Sequence, residues 1–345
     1  VQIQKYKKAV GFYTLGLILI FLLGFNLIWG SVSIPWPVFF HFFSGQFPED
    51  EVIWRHIIIE SRLPQMLTAL LAGSSLSIAG LQMQTLFRNP LAGPSILGIS
   101  AGASLGVALI TLGSGVGSAF IHGFLLSEIG VHLAAFMGAF IVLLVVLLVA
   151  KKVKNNASLL IIGIMVGYGV SSIIGLLNFV GQQGEIHAFV IWGLGSFSAV
   201  QNKQIPLFAT LLIPALILSA FLMKPMNAML LGESYAQNLG LNIKQIRWQL
   251  ILLSGFLTAI VTAYTGPIAF IGLATPHLGR LLFKSADHKI LIPATLLLGS
   301  IIALSCNLIA RMPFFQEVLP INVITSLFGA PLVIYMIVKR KQIGF

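Results

Sequence analysis

The sequence predicts an all-α integral membrane protein with about ten transmembrane helices. Three observations carry this. Of 345 residues, 57% are hydrophobic and 8% charged, where a soluble domain carries about 25% charged residues, so much of the surface must face lipid. The apolar residues gather in runs near the roughly 20 residues that a helix needs to cross the hydrocarbon core. The runs are apolar on every face, whereas the strands of a membrane β-barrel alternate apolar and polar over about ten residues.

In chain order the runs fall near 9–29, 64–87, 95–112, 129–150, 158–180, 204–223, 246–265, 268–284, 290–310 and 321–338. The first follows Lys5, Lys7 and Lys8 and resembles a signal peptide. It lacks a small-residue cleavage site, so it reads as a retained first span. The sequence begins at Val1, which leaves room for native residues ahead of it. Three pieces do not span. Residues 30–62 form an outer loop with Glu49, Asp50, Glu51, Arg55, Glu60 and Arg62. Residues 181–203 form a second outer piece whose aromatic centre suits a short interfacial helix. The third, "KPMNAMLLGESYAQNLGLNIK" (224–244), is too polar and broken to cross a membrane. Pro225 suits a first helical turn, Gly232 breaks it, and a second short helix runs from Glu233 to a stop at Gly240.

The net charge of +11 is topological and does not imply nucleic acid. With a cytoplasmic N-terminus and ten alternating spans, the cytoplasmic segments hold Lys5, Lys7, Lys8, Arg88, Lys151, Lys152, Lys154, Lys224, Lys244, Arg247, Arg280, Lys284, Lys289, Lys339, Arg340 and Lys341. The outer segments hold Arg55, Arg62, Lys203 and Arg311. This is the positive-inside asymmetry. It puts both termini and the 224–244 stretch in the cytoplasm.

Small residues recur at helical spacing in "ALLAGSSLSIAG" (69–80), "LGISAGASLG" (97–106) and "IIGIMVGYGV" (161–170). Helix association in lipid depends on close backbone approach, so these segments are expected to be inner, helix-contacting spans. A faint similarity links 67–98, a small-residue helix followed by a Pro-containing break, to 253–272, as in the duplicated halves of transporters.

Several function classes lack their residues. No Gly-x-x-x-x-Gly-Lys-Ser/Thr loop is present to cradle a nucleotide, and no His-Glu-x-x-His or paired-carboxylate spacing occurs. Cys306 is the single cysteine and sits in an apolar span, so no intramolecular disulfide or thiolate metal site is expected. None of the nine acidic residues falls clearly at mid-membrane, where an ion-coupled transporter working alone would bury one. A membrane-embedded enzyme would need clustered polar groups at one depth. Energy for uphill transport must come from elsewhere.

"RLPQMLTALLAGSSLSIAGLQMQTLFRNPLAGPSILGISAGASLG" (62–106) resembles the signature of the FecCD family, the permease subunits of type II ABC importers for iron-siderophores, heme and cobalamin. "MLLGESYAQNLGLNI" (229–243), "GPIAFIGLATPHLGRLL" (266–282) and "LPINVITSLFGAPLVIYMI" (319–337) resemble further family motifs, in order and over essentially the whole chain. The resemblance implies the permease fold of that family as a single transmembrane domain over 1–345, in a bacterial cytoplasmic (inner) membrane. It implies a homodimer with the pathway along the two-fold and a periplasmic or lipid-anchored substrate-binding protein above. Two ATPase subunits below would bind ATP and Mg. This chain would hold no cofactor or metal and catalyse no covalent step. A ferric siderophore is the favoured cargo, with heme and a corrinoid as alternatives.

The resemblance also assigns residues. The pair of short helices corresponds to the coupling helices that enter a cleft of each ATPase. Met226, Met229, Leu230, Leu231, Tyr235, Ala236, Leu239 and Leu241 would fill the partner groove, Gly232 and Gly240 would shape the turns, and Glu233 would face the rim or cap the second helix. An amphipathic hairpin lying on the bilayer is the alternative. Arg62 and Arg311 match outer arginines that meet glutamates of the binding protein, and Arg55 lies near enough to help. The alternative pairs them with Glu60, Glu317 or lipid phosphate. The family's Arg-Leu-Pro-Arg is here Arg62-Leu63-Pro64-Gln65, and its Ala-Asp is Cys306-Asn307, so docking is expected to be weaker or differently patterned. Asn89, Pro90, Pro276 and His277 are expected to be structural. Gln82, Met83 and Gln84 are expected on a pathway-lining helix. His41, His56 and His187 are not favoured as heme ligands.

Overall fold

Among the described residues, all regular secondary structure is helical. The computed structural model describes residues 2–32, 34–44, 52–113, 127–153, 155–313 and 318–339. Glu49, Asp50, Glu51, Lys154, Glu317, Arg340 and Lys341, used above, lie outside the described residues.

The helices are α1 (Gln2–Ile28), α2 (Trp36–Ser44), α3 (Val52–Ile57), α4 (Leu63–Phe87), α5 (Ile99–Thr111), α6 (Glu128–Lys152), α7 (Asn156–Val180), α8 (Gln183–Gly193), α9 (Ile205–Phe221), α10 (Met223–Leu230), α11 (Glu233–Asn238), α12 (Ile243–Thr265), α13 (Ile271–Phe283), α14 (His288–Ala310) and α15 (Ile321–Lys339). A π-helical turn over Ile58–Arg62 joins α3 to α4. Side-chain N-caps fix the starts of several helices. Ser127 accepts from the Gly130 N–H, Asn155 from Ala157, Asn242 from Gln245 and Asp287 from Lys289, each satisfying a first-turn donor that has no partner inside the helix.

Seven helices among the described residues are long and apolar enough to cross a membrane, which corrects the expectation of about ten. The shortfall lies at 95–112, 268–284 and 321–338. The chain enters the first of these as a 3₁₀ turn over Pro94–Leu97, followed by Gly98 in the left-handed region at φ 75°. Residues 266–270 precede α13 without helix, and Phe270 takes φ 66°. The helices that follow, α5 and α13, have 13 residues each. At 1.5 Å per residue that is roughly 20 Å, short of a hydrocarbon core of about 30 Å. The described apolar run of α15, Ile321–Tyr335, is also shorter than a full crossing.

Helix α4 lies at the centre, with 21 of its 25 residues buried, against three of 25 in α7. Its packing is glycine-mediated. Gly73 and Gly299 on α14 face each other so that a Cβ on either would fall on the other's carbonyl oxygen. Gly80 meets the carbonyl of Gly272 on α13 in the same way, and Gly102 on α5 is reciprocal with Gly138 on α6. Two of the three small-residue segments are therefore inner contact faces. The third, on α7, contacts the chain on one side only, Gly163 against Ile96 and Leu97 and Gly167 against Gly98, while Gly169 has open space around it and Tyr168 is exposed.

Candidate functional site: the short helix pair and its anchors

The pair α10–α11 is built at the end of the bundle where α4, α6, α9, α13 and α14 have their cytoplasm-assigned ends. Gly232 separates the two helices at φ 125°, a backbone conformation that only glycine adopts without strain. After α11 the Leu241 N–H donates to the Ala236 carbonyl (3.1 Å) and the Gly240 N–H to Gln237 (2.8 Å), with Gly240 at φ 82°. This is the Schellman arrangement that satisfies the last carbonyls of a helix.

The pair has two faces. Met226, Met229 and Ala236 are fully buried in this chain's own core, so they do not reach outward toward a partner groove. Met226 and Met229 belong to the main apolar core of the bundle. Leu230, Leu231, Tyr235 and Leu239 point away, exposed at 42%, 68%, 50% and 59%. Four large apolar residues at the pair are thus left uncovered by this chain.

Three polar anchors hold the pair to the bundle. Arg88 is the left-handed C-cap of α4, at φ 48°, and donates to the Met229 carbonyl at 2.9 Å. The Glu233 carboxylate lies 3.3 Å from the Arg247 guanidinium on α12 and accepts from Asn156 Nδ2 at 2.8 Å. Asn156 donates also to the Leu86 carbonyl of α4, and Arg247 to Val153 at the end of α6. Asn227 donates to Asp287 Oδ1 (2.7 Å), and its Oδ1 accepts from the His288 N–H (2.8 Å). The His288 ring in turn meets the Thr85 hydroxyl of α4 at 2.9 Å. The hydrogen bonds to Asp287 from Lys289 N–H, first, and from Asn227 hold its carboxyl below the ordinary aspartate value. All three anchors therefore end at the last turn of α4.

Glu233 thus ties its helix to the bundle and does not simply edge a groove. Arg88, Asn156, Asn227, Arg247 and His288 were absent from the sequence-derived site. Each stands at the boundary of an apolar run, which is a usable signal. Its partner, however, is up to 203 positions away in the chain.

Gln82 and Met83 are buried at 1% and 0% exposure within this chain's core. Gln84, also buried, donates to the Leu273 carbonyl (3.0 Å) and accepts from Arg280 (2.6 Å), bridging α4 to α13. The chain on its own therefore offers none of the three to a pathway. Asn89 Oδ1 accepts from the Leu91 N–H at 3.0 Å, closing the turn that carries Pro90. Pro276 is buried inside α13, and His277 is half-buried beside it. Among the described residues, no three His, Cys, Asp or Glu side chains are grouped so as to hold a metal ion.

The outer arginines divide. Arg62 and Arg311 are inside the protein, 3% and 4% exposed, which differs from the expectation that they face a binding protein. Arg62 donates to the carbonyls of Leu27, Ile28 and Val32. Arg311 donates to the carbonyl (3.1 Å) and side-chain oxygen (2.9 Å) of Asn26. The last carbonyls of α1 have no intrahelical donors and carry the negative end of the helix dipole, so two guanidinium groups complete that helix end. Arg55 on α3 is exposed.

The model of the FecCD transport family matches residues 17–339. The chain is 32% identical over 294 residues to the hemin transport system permease protein HmuU of Yersinia pestis, covering 85% of this chain and 86% of that one. It is 34% identical over 288 residues to the vitamin B12 import system permease protein BtuC of Klebsiella pneumoniae, covering 83% and 84%. A solved structure described as an inward-facing conformation of a metal-chelate type ABC transporter superposes with a TM-score of 0.82. It is 28% identical and covers 95% of this chain and 98% of that one.

Proposed function

The chain belongs to the FecCD transport family, and on that premise we propose that it is the membrane-spanning permease subunit of an ATP-driven ABC importer carrying an iron-siderophore, heme or cobalamin-type substrate. Relatives named for hemin and vitamin B12 transport support this cargo range. The chain supplies the path, and ATP with Mg binds to separate ATPase subunits. A ferric siderophore remains the favoured cargo. Two copies of this chain form the pathway, with a substrate-binding protein docking on the outer side.

The observation that carries the mechanism is the two-faced helix pair. Leu230, Leu231, Tyr235 and Leu239 form the face for the ATPase, while Arg88, Glu233 and Asn227 fasten the other face to the end of α4. A push on the pair is then delivered to the helix that packs by backbone contact against α13 and α14. Rigid packed elements with two arrangements are the physical means of such coupling.

The positive-inside pattern puts the pair in the cytoplasm. The short helices α5, α13 and α15 complete ten crossings, α5 and α13 together with the non-helical segments that precede them. Broken elements of this kind are tolerated where they are buried in protein. Both chain ends then lie on the cytoplasmic side. In support, the Phe12 ring of α1 packs against Phe283, with ring centroids 4.5 Å apart and a 30° tilt, beside the basic end of α13. Helix α15 starts at the opposite end, where the Ile321 N–H donates to the Gly195 carbonyl. On the outer side Arg55 is the docking charge, and Arg62 and Arg311 shape the platform from within.

The test is the double variant Leu231→Ser/Leu239→Ser in the purified complex. ATPase subunits should co-purify at a level reduced about tenfold or more, with the permease itself monodisperse, since a leucine buried in a partner pocket contributes roughly 1.5–3 kcal/mol that serine does not. Unchanged ATPase retention and unchanged substrate-stimulated ATP hydrolysis would overturn the assignment.

A further inference from the structure

Beside the anchor of α11 is a cleft of about 670 Å³ between the end of α6, the start of α12 and α11. Lys151, Lys152, Lys244 and Arg247 line it, with Glu233 and Trp248. The one carboxylate is engaged, 3.3 Å from Arg247 and hydrogen-bonded to Asn156, so three exposed lysines remain around the opening. Helices α6 and α12 are both long apolar spans, and the cleft lies where one ends and the other begins. That is the depth of lipid headgroups.

Two further features select a lipid over a soluble anion or a protein. Trp248 is half-exposed and follows Lys244 by one helical turn, the combination of aromatic body and polar edge that settles at a membrane interface. Above the lysines, Leu144 and Leu148 repeat at one-turn spacing on α6 and are exposed at 43% and 61%. From the basic ends inward the order is cation then aromatic on α12 and cation then aliphatic on α6, the order of a phospholipid from phosphate to acyl chain. Basic pockets between transmembrane helices on the cytoplasmic side take anionic headgroups.

We propose that this cleft binds the phosphate headgroup of an anionic phospholipid, with the acyl chains along Leu144 and Leu148. The bound lipid then packs beside the Glu233–Arg247 anchor and steadies the helix pair from the bilayer side.

The test uses the assembled permease–ATPase complex, stripped of native lipid in mild detergent and given phosphatidylglycerol or phosphatidylcholine. Native mass spectrometry counts the lipids retained. Wild type should keep phosphatidylglycerol in preference to phosphatidylcholine. Lys151→Gln/Lys152→Gln/Lys244→Gln should reduce that preference by about a hundredfold, since each basic residue near an anionic surface contributes roughly fivefold. Lys7→Gln/Lys8→Gln/Lys284→Gln removes the same charge elsewhere and should leave the preference intact. As a second readout, brominated phosphatidylglycerol should quench fluorescence more than brominated phosphatidylcholine, and Trp248→Phe should abolish the difference. Equal loss in both triple variants would overturn the site, as would no preference in the complex, meaning the ATPase fills the cleft. Displacement of the lipid by millimolar inorganic phosphate would replace the lipid with a soluble anion and overturn the proposal.

Discussion

Gly80 on α4 and Gly272 on α13 meet so closely that the carbonyl oxygen of Gly272 occupies the place a Cβ at position 80 would take. Pro276 lies four residues beyond Gly272 and offers no N–H to that carbonyl, so the oxygen is directed at the neighbouring helix. Between helices in lipid, contact of this kind replaces hydrophobic drive. The obstacle to a larger residue is backbone, which cannot rotate aside.

Gly80→Ala should therefore destabilise the protein by about 3 kcal/mol, the upper range for overpacking. Gly169→Ala and Gly175→Ala, with nothing within 4 Å of the added carbon, should be neutral or raise stability by up to about 1 kcal/mol through helix propensity. Thermal unfolding in detergent compares the three. Equal melting temperatures for all of them would show that the Gly80 contact yields easily.

Much of this was legible in the sequence, and the reasons differ by feature. Composition and run length sufficed for a helical membrane protein, and Pro225, Gly232 and Gly240 marked the short pair, because these signals are local. The small-residue runs marked α4 and α5 as contact helices. The count of long spans was overestimated because apolar composition continues through Pro94–Gly98 and 266–270, where backbone conformation breaks the helix. The two faces of the pair were not separable. Met226 and Leu230 are both apolar and one turn apart, and only the neighbouring helices decide which is buried. Arg62 and Arg311 look like surface charges until the end of α1, 34 or more positions away, is seen to supply their acceptors.

The Glu233–Arg247 pair should show a measurable interaction energy. Their side chains are 32% and 7% exposed, so solvent screens one end. A double-mutant cycle with Glu233→Gln and Arg247→Gln should give a coupling of roughly 1 kcal/mol in stability. In the assembled importer either variant should lower substrate-stimulated ATP hydrolysis while ATPase subunits remain bound, because the exposed face is untouched. Additive effects on stability with full stimulation would remove the pair from the coupling path.

Asp287 gives a pH signature. Its carboxyl is held below the ordinary value by hydrogen bonds from Lys289 and Asn227. A depressed folded-state pKa contributes stability that is whole above the unfolded value, roughly pH 4, and is lost as pH falls through the folded value. Asp287→Asn keeps the N-cap oxygen but not the charge. Its melting temperature should lie below wild type at pH 7, and the gap should close progressively as pH falls below about 4. A constant gap across that range would assign the difference to packing.

The arginines at the opposite end should separate structure from docking. Arg62→Gln and Arg311→Gln each leave carbonyls at the end of α1 without donors, at about 1–3 kcal/mol for each buried group left unsatisfied. Both should lower the melting temperature, and Arg311→Gln should also loosen the α1–α14 contact that Asn26 and Asn307 make at 2.9 Å. Arg55→Glu, on the exposed face of α3, should leave stability nearly unchanged and slow association with the binding protein most strongly at low salt, since rim charges act on encounter rate. Stopped-flow association across a salt series reads this directly. If Arg311→Gln, at full stability, alters the salt slope while Arg55→Glu does not, the buried arginine has a route to the partner that its present contacts do not provide, and the docking role returns to it.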